Sequence, residues 1–311
     1  MTGTRALSLL LLAASAVAQM ATSRPEAALP PEPTGAFLES PGATIYYEVL
    51  GDKHAAGEPL VVVHGGLGLD HSYLEGSLAW NLLAKKRRVV FYDQRGDGRS
   101  PALKASQSCS LADEIADLEA LRAHLGAPRI DLLGHSWGGF LAMAYAIHHP
   151  EHISRLILVD SVPPNAKDMV SVGDALFPEE SAKAAALEKD DPTSMRSPFE
   201  ALFPTLFYSP EHRAAFIKQM TSFRFDEEVF HKLGADLMQA NLYEGVRRFQ
   251  FPVLILNGRF DVLVAPQSAV RIANAIPGSK LIFFERSGHL PFLEEPDRFA
   301  ETTEEFLAQP Q

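Results

Sequence analysis

Ser136 lies at the centre of residues 134–138, whose sequence G-H-S-W-G fits the pattern G-x-S-x-G. An apolar stretch typical of a buried strand precedes it, and a helix-forming stretch that ends near Pro150 follows it. At such a sharp turn from strand to helix, the serine hydroxyl projects above the sheet and the next backbone N–H groups point towards it. The pattern therefore predicts that Ser136 is a nucleophile and that the reaction passes through an acyl-enzyme.

A serine hydroxyl is a weak nucleophile at neutral pH, and it needs a base and a group that orients the base. Asp261 and His289 each follow a short apolar stretch typical of a strand. Because the carboxyl ends of parallel strands meet at one edge of a sheet, both residues should lie beside Ser136. We expect His289 to accept the serine proton and Asp261 to fix the imidazole tautomer. Asp160, also at a strand end, is the alternative acid.

Short apolar runs alternate with amphipathic stretches, which is typical of an α/β fold with a mostly parallel sheet covered by helices on both faces. Two helices are predicted at Leu111–Leu125 and Pro296–Ala308. The predicted strands are Thr44–Leu50, Leu60–Val63, Val89–Tyr92, Arg129–Leu133, Arg155–Val159, Val253–Leu256 and Leu281–Phe284.

Over residues 37–311 the chain resembles the α/β-hydrolase family, and four segments carry the resemblance: residues 64–66 (H-G-G), 134–138, 258–261 (G-R-F-D) and 287–289 (S-G-H). The resemblance implies the α/β-hydrolase fold. It also implies an oxyanion hole formed by the backbone N–H groups of Gly66 and Trp137, which would stabilise the charge on a tetrahedral intermediate.

Residues 64–68, 92–100 and 136–139 are more closely similar to the proline iminopeptidase branch of serine peptidases. The chain departs from that branch at Leu67, where proline is usual, at Asp97, where cysteine is common, and at His135, where glycine is frequent. These departures concern the substrate rather than the three catalytic positions. Charges alternate along residues 93–100, which predicts a surface loop with a structural role.

Residues 161–246 interrupt the alternation of strands and helices and are rich in phenylalanine and proline. In the α/β-hydrolase family such an insertion forms a helical cap over the serine, between the two parts of the core at residues 37–160 and 247–311. In the iminopeptidase branch, glutamates of the cap bind the α-ammonium group of the substrate, but the sequence does not identify which ones do so here. The candidates for substrate binding are Glu200, Glu228, Glu244, Phe203 and Phe207.

The first 18 residues contain one basic residue, Arg5, and an apolar stretch that ends in A-V-A at residues 16–18. This pattern predicts a signal peptide that is cut after Ala18, and a secreted or periplasmic protein. The apolar stretch is too short to span a bilayer, and no cysteine follows the cleavage site to carry a lipid anchor. Residues 19–36 are rich in proline, alanine and glutamate, which predicts a disordered linker.

The 311 residues carry a formal net charge of −11 without a basic block, which argues against a nucleic-acid partner. The sequence lacks the H-E-x-x-H zinc motif and the G-x-x-x-x-G-K-[ST] phosphate loop, so we expect neither a metal nor a cofactor. His148, His149 and His152 surround Pro150 at a helix end, where structural or surface roles are expected. The single cysteine, Cys109, precedes a predicted helix and is expected to be a bystander.

The sequence therefore predicts a secreted serine hydrolase that acts on a small molecule or a short peptide. Removal of an N-terminal residue such as proline is the preferred activity, because of the iminopeptidase resemblance. A carboxylesterase or lactonase that acts on small apolar esters would use the same three residues. A binding protein that keeps the fold without turnover is a third alternative. The oligomeric state stays open.

Overall fold

The computed structural model of the protein describes residues 34–309 apart from positions 53, 56, 105, 192–193 and 220–224. Within these residues eight strands form one sheet in the order β1-β2-β4-β3-β5-β6-β7-β8. The pairs β1–β2 and β2–β4 are antiparallel, and all other neighbours are parallel. The strands are β1 (Thr34–Ser40), β2 (Ala43–Leu50), β3 (Leu60–Val63), β4 (Val89–Tyr92), β5 (Ile130–His135), β6 (Ile153–Val159), β7 (Val253–Gly258) and β8 (Lys280–Phe284).

The α-helices and the sheet make up the α/β-hydrolase fold that the sequence predicts. Short 3-10 helices cover Pro150–His152, Ala166–Asp168 and Phe203–Leu206. The α-helices are α1 (Ser72–Glu75), α2 (Leu78–Ala84), α3 (Leu111–His124), α4 (Trp137–His148), α5 (Gly173–Leu176), α6 (Pro178–Asp190), α7 (Arg196–Glu200), α8 (Pro210–Gln219), α9 (Glu227–Gln239), α10 (Tyr243–Val246), α11 (Pro266–Ala275), α12 (Pro291–Glu294) and α13 (Pro296–Leu307).

The central strands are continuous apolar runs because helices cover both faces of the sheet. Every residue of β3, β4, β5, β6 and β7 is buried. Helix α4 is also buried from Trp137 to Ala146, and it packs against β3, β5 and β6. A helix that is apolar on all sides is stable only inside a protein, so α4 forms the centre of the core and holds its first residues rigidly at the sheet edge.

The segment between β6 and β7 contains the helices α5 to α10. Its interior is aromatic: the ring centroids of Phe199 and Phe203 lie 4.7 Å apart, and those of Phe207 and Phe216 lie 4.9 Å apart. Backbone hydrogen bonds connect the segment to the core, among them those from the Asp226 amide to Gly68 O and from the His289 amide to Leu206 O. The segment is therefore a helical layer with its own apolar interior.

The predicted strands and helices agree with the structure to within two residues at each end. Strand β1 lies partly in the predicted linker: residues 34–36 pair with β2, so the prediction of disorder is wrong for these three positions. The rest of the predicted linker and the predicted signal peptide lie outside the described residues. Among the residues that are described, no helix is both long and apolar enough to cross a bilayer.

Candidate active site

Ser136 occupies a strained turn between β5 and α4. Its φ of 56° and ψ of −119° lie in a region that residues with a side chain rarely adopt. The turn is held by three backbone hydrogen bonds, in which the serine amide donates to Val159 O at 2.9 Å and the serine carbonyl accepts from the amides of Gly139 and Val162. A Cβ atom on Gly138 would lie 2.3 Å from Val63 O, so only glycine permits this approach of α4 to β3.

His289 and Asp261 form a fully buried pair. His289 Nδ1 lies 2.7 Å from Asp261 Oδ2, while Oδ1 accepts the amides of Leu263 and Val264 at 2.9 Å each. Because a carboxylate only accepts, Nδ1 carries the ring proton and Nε2 has a lone pair. Within the described part of the chain Nε2 has no hydrogen-bond partner, Ser136 included. The imidazole is therefore oriented as a base.

Ser136 is close to both loops that a hydrolytic site requires. His135, its neighbour in the chain, hydrogen-bonds to the carbonyl of His289 at 2.9 Å, and the two imidazole centroids lie 4.8 Å apart. On the other side, a Cβ atom on Gly65 would lie 3.1 Å from Ser136 Cβ. The structure thus brings the loop after β3, the turn after β5 and the loop after β8 together at the carboxyl edge of the sheet, as predicted from the strand order.

The two predicted oxyanion donors belong to the segments that flank Ser136. Gly66 has a φ of 122° in the loop after β3. Trp137 is the first residue of α4, and the first N–H groups of a helix have no acceptor within the helix. Gln94 connects the two segments, because it donates to His64 O at 3.0 Å and accepts from the Trp137 indole at 2.8 Å.

Asp160, the alternative acid, lies beside the pair but does not replace Asp261. It has a φ of 44°, and its Oδ1 accepts the Gly258 amide at 2.8 Å. Burial and the neighbouring Asp261 charge raise the pKa of Asp160 well above its ordinary value, so this carboxyl is held in the neutral form. His289 Nδ1 donates its hydrogen bond to Asp261 rather than to Asp160, as the sequence context favours.

The prediction of a surface loop at residues 93–100 is wrong. Asp93, Arg95 and Asp97 are each at most 1% exposed. Asp93 Oδ1 accepts both the amide and the Nδ1 proton of His71, and Oδ2 accepts the Arg99 amide at 2.7 Å. The carboxylate thereby ties the loop after β3 to the loop after β4. Asp93 and Arg95 do pair, but with partners that the tertiary fold supplies, whereas neither carboxyl oxygen of Asp97 has a hydrogen-bond partner among the described residues.

A buried carboxylate that no sequence pattern predicted supports the loop that carries His289. Glu294, at the end of α12, accepts the Gly288 amide at 2.6 Å and the Ser209 amide at 2.8 Å. Burial raises the pKa of Glu294 to about 7. The His289 amide donates to Leu206 O at 2.8 Å. This bond and the two that Glu294 accepts therefore join the helical layer to the loop that carries His289. No local motif distinguishes Glu294 from an ordinary helix-end carboxylate.

The candidate substrate-binding residues are not gathered at one point. Phe203 and Phe207 pack around Phe216 in the interior of the helical layer. A small pocket of about 20 Å³ lies instead where this layer meets Val262 and Leu263, directly after Asp261, and its lining mixes apolar side chains with Asp174, Thr205 and two serines. The three candidate glutamates are exposed and form local ion pairs, which are Glu200 with Arg196, Glu228 with Lys232 and Glu244 with Arg248.

Cys109 and the histidines around Pro150 lie in surroundings that favour a structural role. Cys109 is buried, and burial raises the pKa of its thiol, which disfavours the reactive thiolate. At the end of α4, His152 Nδ1 lies 3.1 Å from Glu119, whose carboxylate also binds the Arg122 guanidinium through both oxygens. A carboxylate engaged by a guanidinium is a poor metal ligand, so this cluster stabilises the helix end instead.

Residues 58–296 match the protein family described as alpha/beta hydrolase fold, and the chain belongs to that family. It is a hydrolase. It is 30% identical over 289 residues to a proline iminopeptidase of Lactiplantibacillus plantarum, which covers 86% of this chain and 98% of that protein. A proline iminopeptidase of Saccharolobus solfataricus is 31% identical, over 86% of this chain and 90% of its own length. The esterase RhEst1 of a Rhodococcus species has a TM-score of 0.69 at 25% identity, with 88% and 98% of the two chains covered.

Proposed function

We propose that the protein is a serine hydrolase in which Ser136, His289 and Asp261 act together. The observation that carries the proposal is the 2.7 Å contact between His289 Nδ1 and Asp261, because it leaves Nε2 as the basic nitrogen. The strained backbone of Ser136 and its place beside both loops support the same assignment.

The reaction follows from these positions. Ser136 Oγ attacks the substrate carbonyl carbon while His289 Nε2 takes the hydroxyl proton. The Gly66 and Trp137 amides stabilise the oxyanion of the tetrahedral intermediate. When the intermediate collapses, the bond to the leaving group breaks and His289 returns the proton to it. Water, activated by the same imidazole, then releases the acyl group and restores the serine hydroxyl.

We propose an aminopeptidase activity of the proline iminopeptidase type, on short peptides, as the specific function. Its support is the identity of 30% and 31% to two proline iminopeptidases over most of the chain. A substrate of this class has a free α-ammonium close to the scissile carbonyl. One desolvated carboxylate facing that ammonium would form a charge-assisted hydrogen bond, worth about 1.5–3 kcal/mol.

A carboxylesterase or lactonase activity is the second candidate, and a specific observation favours it. The candidate glutamates of the helical layer are exposed and already paired with neighbouring cations, so none of these three is the desolvated carboxylate that an ammonium requires. A neutral acyl group needs no such carboxylate. The structural similarity to an esterase is consistent with this candidate.

Two matched substrates separate the candidates. The peptidase proposal expects cleavage of prolyl- or alanyl-arylamide, and cleavage at least about tenfold slower when the amine is acetylated, because an unpaired buried carboxylate costs 1.4 kcal/mol or more. Equal or faster cleavage of the acetylated compound, with good turnover of short-chain aryl esters, would support the esterase instead. A fluorophosphonate probe that fails to label Ser136 would favour the third alternative, a binding protein without turnover.

We also propose that the protein is exported through the signal peptide predicted at residues 1–18, with cleavage after Ala18. The support is the sequence pattern alone, since these residues lie outside the described part of the chain.

A further inference from the structure

Tyr73 and His135 connect the two loops on either side of Ser136 through a continuous chain of hydrogen bonds. The Gly65 amide donates to Tyr73 Oη at 2.7 Å, and Tyr73 Oη lies 2.5 Å from His135 Nδ1. At the other end, His135 Nε2 lies 2.9 Å from the carbonyl oxygen of His289. Both side chains are fully buried. The chain thus runs from the residue next to Gly66 to the backbone of His289.

The proton positions in this chain have one consistent solution. The His289 carbonyl can only accept, so His135 carries its proton on Nε2. In a neutral ring Nδ1 then accepts, which makes the Tyr73 hydroxyl the donor and leaves its oxygen to accept the Gly65 amide. Burial lowers the pKa of His135 well below its ordinary value and raises that of Tyr73, so both groups are neutral. The hydrogen bonds are therefore all donated in one direction, from the Gly65 amide through Tyr73 and His135 to the His289 carbonyl.

We propose that Tyr73 and His135 are positioning residues that hold the oxyanion loop and His289 in register with each other. The inference rests on the proposed roles of Gly66, Ser136 and His289. Glycines 65 and 66 have no side chains to fix their backbone, and Gly66 has a φ of 122°. The hydrogen bond from the Gly65 amide to Tyr73 fixes the peptide plane that precedes the Gly66 amide. At the other end, the hydrogen bond to the His289 carbonyl fixes the backbone that carries the imidazole.

This arrangement explains why the chain has histidine at position 135, where the iminopeptidase branch frequently has glycine. Glycine at this position would remove both ring nitrogens and leave the Tyr73 hydroxyl and the His289 carbonyl without their partners. Histidine fits because its neutral ring both accepts and donates, at nitrogens on opposite edges. The residue before the nucleophile therefore acts through the two loops and does not touch the substrate.

Tyr73→Phe tests the proposal by removing only the hydroxyl. We expect kcat to fall about 10- to 100-fold with KM within about twofold, because substrate contacts stay while the oxyanion donor loses its support. Fluorophosphonate labelling of Ser136, which needs the same oxyanion hole, should slow by a similar factor. Tyr92→Phe is the matched control: this tyrosine is equally buried, and its hydroxyl has no partner in the described residues, so kcat and labelling should be unchanged.

His135→Gln and the double variant test whether the two residues act through one chain. We expect the double variant to lose no more activity than the worse single variant, since either change interrupts the same connection. Fully multiplied losses, or a Tyr73→Phe variant with the parental kcat and labelling rate, would overturn the proposal. If the parent itself is not labelled at Ser136, the proposed function fails first, and the two failures are thereby distinguished.

A measurement on the parent protein covers the case in which the variants do not fold. In ¹⁵N-histidine NMR spectra, the His135 ring should stay neutral with its proton on Nε2 from pH 5 to pH 9. Protonation of this ring within that range, or a proton on Nδ1, would contradict the direction of donation and overturn the proposal. A merely structural role predicts a lower unfolding temperature with an unchanged kcat per folded molecule, so kcat is normalised to the folded fraction measured by circular dichroism.

Discussion

Asp160 and Asp261 each place a carboxylate oxygen within 4.8 Å of the other and of a ring nitrogen of His289, yet only Asp261 is hydrogen-bonded to the imidazole. Two carboxylates this close cannot both be charged at little cost, so one of them holds a proton. Burial and the Asp261 charge raise the pKa of Asp160, which makes Asp160 the neutral partner. This asymmetry assigns different roles to two acids that follow adjacent strands.

Substitution of the two acids should have unequal effects. We expect Asp261→Asn to lower kcat about 10⁴-fold, because an amide at this position favours the wrong imidazole tautomer. Asp160→Asn should cost less than about tenfold, since an amide oxygen can still accept the Gly258 amide and an amide is neutral like the protonated acid. Steady-state kinetics of both variants measure this, and a larger loss for Asp160→Asn would show that the acid is misassigned.

Ser136→Ala should lower turnover by about five to six orders of magnitude and abolish fluorophosphonate labelling. The fold should be unchanged, because the backbone hydrogen bonds of residue 136 do not involve its side chain. Circular dichroism and the unfolding temperature serve as controls for folding. Retention of more than a few per cent of the activity on the best substrate would exclude Ser136 as the nucleophile.

His71 predicts a pH dependence of stability. Burial opposes its protonation, but the Asp93 charge and the hydrogen bonds to Asp93 and Glu75 outweigh this and raise the pKa of His71 to about 10. Between pH 6.5 and about 10 the native protein keeps a proton that the unfolded chain releases, so the free energy of unfolding falls as the pH rises through this window. The slope should approach about 1 kcal/mol per pH unit from this residue.

Urea denaturation of the parent and of His71→Gln between pH 7 and pH 10 measures this slope. The variant should be less stable at pH 7 and lose most of the pH dependence. His148→Gln provides the control, because His148 is exposed and its ring hydrogen-bonds to the Ala144 carbonyl one helical turn away. An identical slope in the parent and in His71→Gln would show that His71 does not carry the proton.

The predicted export signal can be tested directly. When the full chain is produced in a bacterial host that exports proteins, the mature protein should begin at or near Gln19 and be found outside the cytoplasm. Replacing Ala16 and Ala18 by larger residues should block cleavage. Soluble cytoplasmic protein with an intact N-terminus would argue that the first 18 residues are not a signal peptide.

The core and the relative places of Ser136, Asp261 and His289 could be predicted because they depend on local patterns. An apolar run identifies each strand, and a general rule for parallel sheets places the residues after the strands at one edge. The strained turn that carries Ser136 is recognised from the glycines on either side of the serine. Strand β1 was missed because its single apolar pair, Phe37 and Leu38, does not alternate, and its pairing with β2 comes from the turn at Gly42.

The environment of the site could not be predicted, because its contacts join residues far apart in the chain. Arg95 binds Asp117 through two hydrogen bonds of 2.7 Å, and nothing in either local sequence indicates this pair. Glu294 resembles a solvated helix-end carboxylate until the fold places two amides against it. The pattern of charges along one segment therefore indicates neither the partners of these residues nor whether they lie at the surface.

The contact between the histidine loop and residues 206–209 limits how this enzyme can be redesigned. Leu206 O accepts the His289 amide, and Glu294 accepts the amides of both Ser209 and Gly288, so the helical layer forms part of the scaffold for His289. Grafting another homologue's layer to broaden specificity would remove these supports if the splice points enclosed residues 206–209. A chimera that keeps these four residues from the parent retains the imidazole's backbone anchors, and variation for new substrates is then confined to the remaining helices.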